Sequence, residues 1–291
     1  MVFVLLWSTG FVVAHYGTED AGPLTFLAVR TVIAAAVLAA VAGIRGGPRP
    51  TRVEAGWMSV ASMGLHVVYL GSLYIAIDLG LPSGLTALVA GLHPVLTSLV
   101  AGPILGERLA RVQWAGVALG VLGVLVVVVD RLQAKTSGVT GGALLAAGVS
   151  VLGMSAGSLV QRRRGATVPL LWGTAVQYLA AVPVFLFGAL VVEHWRLHVT
   201  GRLVFSLAWA VFPLSIGAVL LMLLLLQRQA ASKVSSLFFL TPALSTIEGA
   251  ILFHEGLGVL AVVGLAVSLF GVALTTRRSV VAVNRRRAPS R

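Results

Sequence analysis

The sequence predicts an all-α membrane protein with ten transmembrane helices in two inverted five-helix repeats. Three observations support this fold class: the apolar composition, the spacing of long apolar segments, and an internal repeat. Of the 291 residues, 58% are hydrophobic and only 10% are charged, whereas soluble domains carry about 25% charged residues. Lipid, or other helices that face lipid, must cover this much apolar sequence, so an ordinary soluble domain is excluded.

The net charge of +12 does not indicate nucleic-acid binding, because the basic residues form no continuous face or stripe. They cluster in short gaps between apolar segments, which is typical of membrane proteins. The chain has no cysteine, which excludes disulfides and thiolate metal sites. We therefore expect no metal, no cofactor and no nucleic-acid partner.

Ten apolar segments can cross about 30 Å of hydrocarbon as helices. These predicted spans cover residues 2–16, 24–44, 56–77, 82–105, 112–129, 138–161, 168–192, 203–226, 234–253 and 257–276. No basic residue precedes the first span and no small-residue cleavage site follows it, so we expect a membrane helix there and not a signal peptide.

The distribution of Lys and Arg predicts the orientation of the chain. The gaps after even-numbered spans, together with the C-terminal tail, hold sixteen basic residues. The gaps after odd-numbered spans hold four, Arg131, Lys135, Arg196 and Arg202. Because basic loops stay in the cytoplasm, we expect a multi-pass protein of the plasma or inner membrane with both termini in the cytoplasm.

Part of the sequence recurs at an offset of 148 residues. The matched pairs include Leu92/Leu240, Pro94/Pro242, Leu96/Leu244, Glu107/Glu255, Gly116/Gly264 and Gly123/Gly271. We predict a first repeat at 1–131, a second at 138–276 and a basic cytoplasmic tail at 277–291. Because each repeat has an odd number of helices, the second enters the membrane from the opposite side. Many secondary transporters have this architecture, with the substrate near the midplane between the halves.

The sequence also resembles the EamA type of the drug/metabolite transporter superfamily, over nearly its whole length. The resemblance rests on Leu6-Trp7-Ser8, on Pro23-Leu24-Thr25-Phe26-Leu27-Ala28-Val29-Arg30, on His93-Pro94-Val95-Leu96 through Gly106-Glu107-Arg108-Leu109, and on Thr241-Pro242-Ala243-Leu244 through Glu255-Gly256-Leu257. It implies a ten-helix transporter of small metabolites, amino acids or drugs, with a central cavity lined mainly by helices 1, 3, 4, 6, 8 and 9. The repeat partners of Trp7 and Arg30 are Ser155 and Tyr178, so the second half departs from the pattern.

Two prolines mark the predicted cavity, because each removes a helical hydrogen bond and frees a carbonyl that lipid cannot satisfy. Polar residues accompany them at helical spacing on helices 4 and 9, and a similar stripe runs along helix 3. The candidate cavity residues are Trp7, His66, Tyr69, His93, Thr97, Thr241, Ser245 and Glu248, with Pro94 and Pro242 as helix breaks. Alternatively, these polar groups only bond neighbouring helices.

Two charged residues inside predicted spans leave alternatives open. Arg30 either has a functional role, or its side chain extends to the outer surface or ties helix 2 to a broken helix end. Glu248 is a proton-coupling site, a counter-charge for a cationic substrate, or a hydrogen-bonded structural carboxyl.

We expect a secondary transporter that moves a small organic solute by alternating access, in the direction of export, without covalent chemistry. Its partners are the solute and the lipid bilayer, and proton or ion coupling and a homodimer stay open. One alternative is an intramembrane hydrolase that uses Ser155 with His66 or His93. The other is a membrane scaffold or receptor that does not transport.

Overall fold

The computed structural model describes most of the chain, with several gaps. It covers residues 2–93, 95–97, 99, 110–133, 139–165, 167–218, 221, 240–253 and 258–275.

The described residues form α-helices joined by short connections, and a single isolated bridge, between Ala21 and Leu197, is their only β-pairing. In chain order the helices are α1 (Val2–Asp20), α2 (Pro23–Arg45), α3 (Arg52–Asp78), α4 (Ser83–Ala90), α5 (Arg111–Gln133), α6 (Gly141–Arg164), α7 (Leu170–Val191), α8 (Gly201–Ala218), α9 (Thr241–Leu252) and α10 (Val259–Thr275). By length and composition, six of them can cross a membrane, namely α2, α3, α5, α6, α7 and α8. The prediction of an all-helical membrane protein is therefore confirmed.

Polar side chains define where several helices begin. Thr51 and Glu54 form a reciprocal capping box at the start of α3. Thr140 and Thr200 accept a main-chain hydrogen bond in the first turns of α6 and α8. The cap of α2 comes from a distant part of the chain, because the Glu193 carboxylate accepts hydrogen bonds from the amides of residues 24 and 25 at 2.9 and 2.8 Å.

Two helices contain π-helical segments, Met63–Val68 in α3 and Ala210–Ala218 in α8. The second contains Pro213, which has no amide hydrogen to donate. Adding the 148-residue offset to the first segment gives residues 211–216, which lie inside the second. The two halves of the chain therefore carry the same rare distortion at corresponding positions.

The breaks predicted at the two prolines border gaps in the described residues. Within the span predicted at 82–105, α4 ends at Ala90, and the amide of Leu92 donates to the Val89 carbonyl at 3.0 Å in a tighter turn. Pro94 lies outside the described residues. Pro242 lies in the first turn of α9 as described, and residues 222–239 before it lie outside the described residues.

Helices of the first half pack against helices of the second, in the pairs α2–α7, α4–α9, α5–α10, α3–α6 and α1–α8. The contact between α5 and α10 runs along small residues. A Cβ atom on Gly123 would lie 2.4 Å from the amide nitrogen of Ser268, and one on Gly264 would lie 2.7 Å from the carbonyl of Gly123. Only glycine allows this approach of the two backbones.

We therefore predict that Gly123→Ala lowers the midpoint of thermal unfolding in detergent. The added methyl group meets main-chain atoms that cannot rotate away, and such overpacking costs about 1–3 kcal/mol. Gly148→Ala on α6 is the matched control, since a Cβ atom there would have no described atom of another helix within 4 Å. Equal unfolding midpoints for the two variants would contradict the close packing of α5 and α10.

Candidate functional site

A small cavity lies between α1, α4, α6, α9 and α10. The space open to the centre of a water molecule is about 40 Å³, room for about three waters. Trp7 and Phe11 of α1, Met154 of α6 and Thr241 of α9 line it. Its wall is therefore mostly apolar, with a few polar groups, as in small-molecule sites.

Four of the residues predicted from the sequence line this cavity: Trp7, His93, Thr241 and Pro242. The Thr241 hydroxyl is buried and finds no hydrogen-bond partner among the described residues. Because a buried hydroxyl is costly to leave unpaired, it is a natural contact for water or for a polar solute. The resemblance implied lining by helices 3 and 8, but among the described residues α10 lines the cavity and those two helices do not.

The main chain is irregular beside the cavity, where α4 ends. The hydroxyl of Ser155 on α6 donates to the main-chain carbonyl of His93 at 3.3 Å. A hydrolytic serine needs its hydroxyl within about 3.2 Å of a base, but here the hydroxyl points at a carbonyl and not at an imidazole. This geometry gives no support to a hydrolase that uses Ser155 with His93.

A second polar group links α1 to α9. The Ser8 hydroxyl donates to Oε1 of Glu248 at 2.6 Å, and the Ser245 hydroxyl donates to the Ser8 carbonyl at 3.2 Å. The other carboxyl oxygen of Glu248 is buried without a hydrogen-bond partner in the described part of the chain. Ser245 and Glu248 therefore bridge two helices beside the cavity. The sequence reasoning missed Ser8, although the segment Leu6-Trp7-Ser8 was one basis of the resemblance.

A third polar group surrounds Arg30, which is buried inside α2. Its Nε donates to the Ser215 hydroxyl at 3.3 Å, and its Nη1 donates to the Tyr74 hydroxyl at 3.1 Å. Tyr178 donates to the same Ser215 hydroxyl at 2.9 Å. The ring of His66 lies 4.6 Å from the Tyr178 ring, centroid to centroid. We call Arg30, His66, Tyr74, Tyr178 and Ser215 the Arg30 cluster.

The remaining predicted residues lie elsewhere. His66 belongs to the Arg30 cluster, and Tyr69 belongs to a buried apolar cluster that also contains Phe11 and Tyr74. The hydroxyl of Thr97 is buried and has no partner among the residues that the structure describes. The stripe predicted on helix 3 therefore does not face the same cavity as the residues near α4 and α9.

At the end where α1 and α2 meet, main-chain bonds connect the first half of the chain to the second. The amide of Gly22 donates to the Arg196 carbonyl, and the amide of His198 donates to the Asp20 carbonyl, both at 2.8 Å. Arg196 also pairs with Asp78 of α3 at 3.0 Å.

Asp20 adds side-chain contacts at the same end. Its carboxylate accepts hydrogen bonds from Arg202 at 2.7 and 2.9 Å and from Thr200 at 2.7 Å. These bonds from Arg202 and Thr200 lower the pKa of Asp20 to about 2. The contacts of this end thus join α1, α2 and α3 to the α7–α8 connection and to α8.

The described structure is that of a helical membrane protein with a small, mostly apolar cavity that carries a few polar groups, and cavities of this kind bind small molecules. The sequence matches the EamA-like transporter family over residues 1–129 and 141–277. The chain belongs to this family.

Named relatives agree with this class. The chain is 24% identical to a "Probable amino-acid metabolite efflux pump" of Escherichia coli (strain K12), over 94% of each chain. It is 26% identical to a "Probable terminal-alkyne amino-acid exporter" of Streptantibioticus cattleyicolor, over 99% of this chain and 94% of that one. It is 25% identical to the "Uncharacterized inner membrane transporter YedA" of Escherichia coli (strain K12), over 94% and 87% of the two chains.

The fold also has a solved counterpart. A solved structure, described as "Crystal structure of protein", superposes on this chain with a TM-score of 0.67 and 26% sequence identity. The alignment covers 95% of this chain and 96% of the other. The arrangement of helices is therefore one that experiment has already observed.

Proposed function

We propose that the chain is a secondary exporter of a small organic solute, with amino acids or their derivatives as the substrate class. It moves the solute by alternating access between two inverted five-helix repeats. The observation that carries the proposal is the cavity where α4 and α9, corresponding helices of the two halves, meet beside the unpaired hydroxyl of Thr241. In transporters with inverted repeats, substrates bind at this kind of junction.

The helix pairs support two repeats, at 1–131 and 138–276. The pairs α2–α7, α4–α9 and α5–α10 each join a helix to its counterpart in the other half. The α3–α6 contact has its counterpart in the α8–α1 contact, because α3 corresponds to α8 and α6 to α1. This is the pattern that a two-fold relation between the halves produces. The π-helical segments at corresponding positions support the same relation.

The contacts at the α1–α2 end support alternating access. They connect the two halves where α1 ends and α2 begins, so in the proposed cycle a solute leaves on that side only after the halves separate there. The charge distribution of the sequence assigns this end to the outer side of the membrane. The outward-open state of the proposed cycle therefore requires these contacts to break.

The substrate class and the direction rest on the relatives. An efflux pump and an exporter, both named for amino acids or amino-acid metabolites, align with the chain almost from end to end. The scaffold and hydrolase alternatives have no comparable support.

The function is tested by transport from vesicles. Proteoliposomes loaded with the twenty common L-amino acids should release at least one of them faster than protein-free liposomes do, measured by mass spectrometry. Ser155→Ala should release it at the wild-type rate, because that hydroxyl only bonds a carbonyl. If neither amino acids nor a panel of small drugs crosses, the protein does not transport these solute classes and the proposal fails.

Glu248 is proposed to couple transport to protons, since one of its oxygens has no partner among the described residues and can take up a proton. Glu248→Gln keeps an oxygen for the Ser8 bond but cannot ionise. We expect it to lose accumulation driven by a pH gradient, roughly tenfold, while counterflow exchange stays near the wild-type rate. A weaker apparent affinity for the solute in both assays would instead indicate that Glu248 is a counter-charge for the substrate. Unchanged transport with unchanged pH dependence would indicate that Glu248 has only a structural role.

The proposed orientation is tested with single cysteines, which have no native background. Pro48→Cys and Thr167→Cys, at exposed positions before α3 and before α7, should react with an impermeant maleimide only from the cytoplasmic side. Val199→Cys, at a position that is 78% exposed, should react only from outside. Labelling of positions 48 and 199 from the same side would refute the orientation.

A further inference from the structure

Arg30 carries a buried charge that no described carboxylate neutralises. Its side chain is only 7% exposed, and both of its hydrogen-bond acceptors, on Tyr74 and Ser215, are neutral hydroxyls. A charged group inside a membrane protein is costly and is by default a sign of function. A guanidinium that only hydroxyls solvate lacks the counter-charge that would offset its desolvation.

The described acidic residues all have other contacts. Glu19 and Asp20 pair with Arg202, Asp78 pairs with Arg196, Glu54 and Glu193 cap helices, Glu248 bonds Ser8, and Asp130 lies beside Gly258. Within the part of the chain that the structure describes, the cluster is therefore cationic and contains no acidic side chain.

The cluster draws on both π-helical segments, which Tyr178 of α7 connects. His66 lies in the first segment and Ser215 in the second, and Tyr178 contacts both of them, through its ring and its hydroxyl. The Nδ1 atom of His66 is buried and has no described hydrogen-bond partner. π-helical turns are rare and often occur at functional sites. Two of them converging on one unneutralised cation is a second, independent observation.

We propose that the Arg30 cluster binds the carboxylate of the transported solute. This inference rests on the proposed function and specifies which chemical group of the substrate is recognised. A carboxylate supplies the missing negative charge, and the planar guanidinium can donate two parallel hydrogen bonds to it. The unpaired His66 nitrogen adds a polar contact at the same place.

The position of the cluster between the halves explains how such a site opens. Arg30 and Tyr74 belong to the first half, whereas Tyr178 and Ser215 belong to the second. When the halves move relative to each other, Arg30 loses the Ser215 hydroxyl and its Nε needs another acceptor. The solute carboxylate takes that place. Tyr74 belongs to the same apolar cluster as Phe11 of the cavity wall.

The competing explanation is that Arg30 only ties α2 to α3 and α8. A structural tie predicts reduced stability without a change in substrate preference. A carboxylate site predicts that wild-type protein distinguishes an amino acid from the amine that lacks only the carboxyl group. The two explanations therefore differ in an assay that needs no mutation.

The experiment compares L-leucine with isoamylamine and L-phenylalanine with 2-phenylethylamine, in wild-type proteoliposomes and as additives in thermal unfolding. The wild type should transport at least one of the amino acids about tenfold faster than its amine, and only that amino acid should raise the unfolding midpoint. Arg30→Gln should reduce its transport about tenfold or more, and Arg30→Lys should keep an intermediate rate. Arg45→Gln, the same change at the exposed end of α2, should stay within about twofold of the wild type.

Several results would overturn the inference. One is equal transport of amino acid and amine by the wild type, and another is an Arg30→Gln variant at the wild-type rate. If Arg30→Gln does not fold, the wild type alone provides the test. The carboxylate site is then refuted if the amino acid and its amine raise the wild-type unfolding midpoint equally. The anion of the buffer provides a further check. If the amino acid no longer raises the unfolding midpoint when the buffer contains chloride in place of methanesulfonate, the cluster binds an inorganic anion instead. Transport of amines but of neither amino acid refutes the carboxylate site alone, whereas transport of no solute at all refutes the proposed function.

Discussion

The absence of water in the bilayer core is the constraint on which this structure depends, because every main-chain polar group there needs a partner within the protein. Regular helices meet this need, and each departure from them requires a side chain from elsewhere. The Ser215 hydroxyl accordingly bonds the Ala210 carbonyl in the π-helical part of α8, and Ser155 bonds the His93 carbonyl beyond the end of α4. Irregular main chain is thus accompanied by polar side chains that lie between helices.

This constraint explains which features the sequence could predict. Helix positions follow from local hydropathy, and the close contact of α5 with α10 follows from small residues that recur at one offset, such as Gly123 and Gly271. Contacts between residues far apart in the sequence leave no local pattern from which they could be predicted. The sequence indicated that a charge at Arg30 is costly, but its acceptors lie 44 and 185 residues away. The cap that Glu193 provides for α2 was missed for the same reason.

The polar stripe of helix 3 shows a different limit. Steps of three and four residues define one face only in a regular α-helix. In α3 the π-helical segment Met63–Val68 widens the turn, so steps of three and four residues do not by themselves define the face of the helix there. His66 instead meets Tyr178 of the other half.

Two side-chain contacts join the halves at the α1–α2 end, the Arg196–Asp78 pair and the Asp20–Arg202 contact. They differ in how they respond to pH and to separation of the halves. The Arg196–Asp78 pair is partly exposed, with side chains 51% and 29% accessible, and such pairs contribute only about 0–1 kcal/mol. Separating it therefore costs little. Asp20 has a pKa of about 2, so its contribution to closure is complete above the unfolded value near 3.8 and is lost only as the pH falls towards 2. Across physiological pH the Asp20–Arg202 contact stays intact. Asp20 therefore does not titrate near neutral pH, and the proposed coupling role is assigned to Glu248, which joins α9 to α1 through its bond with Ser8.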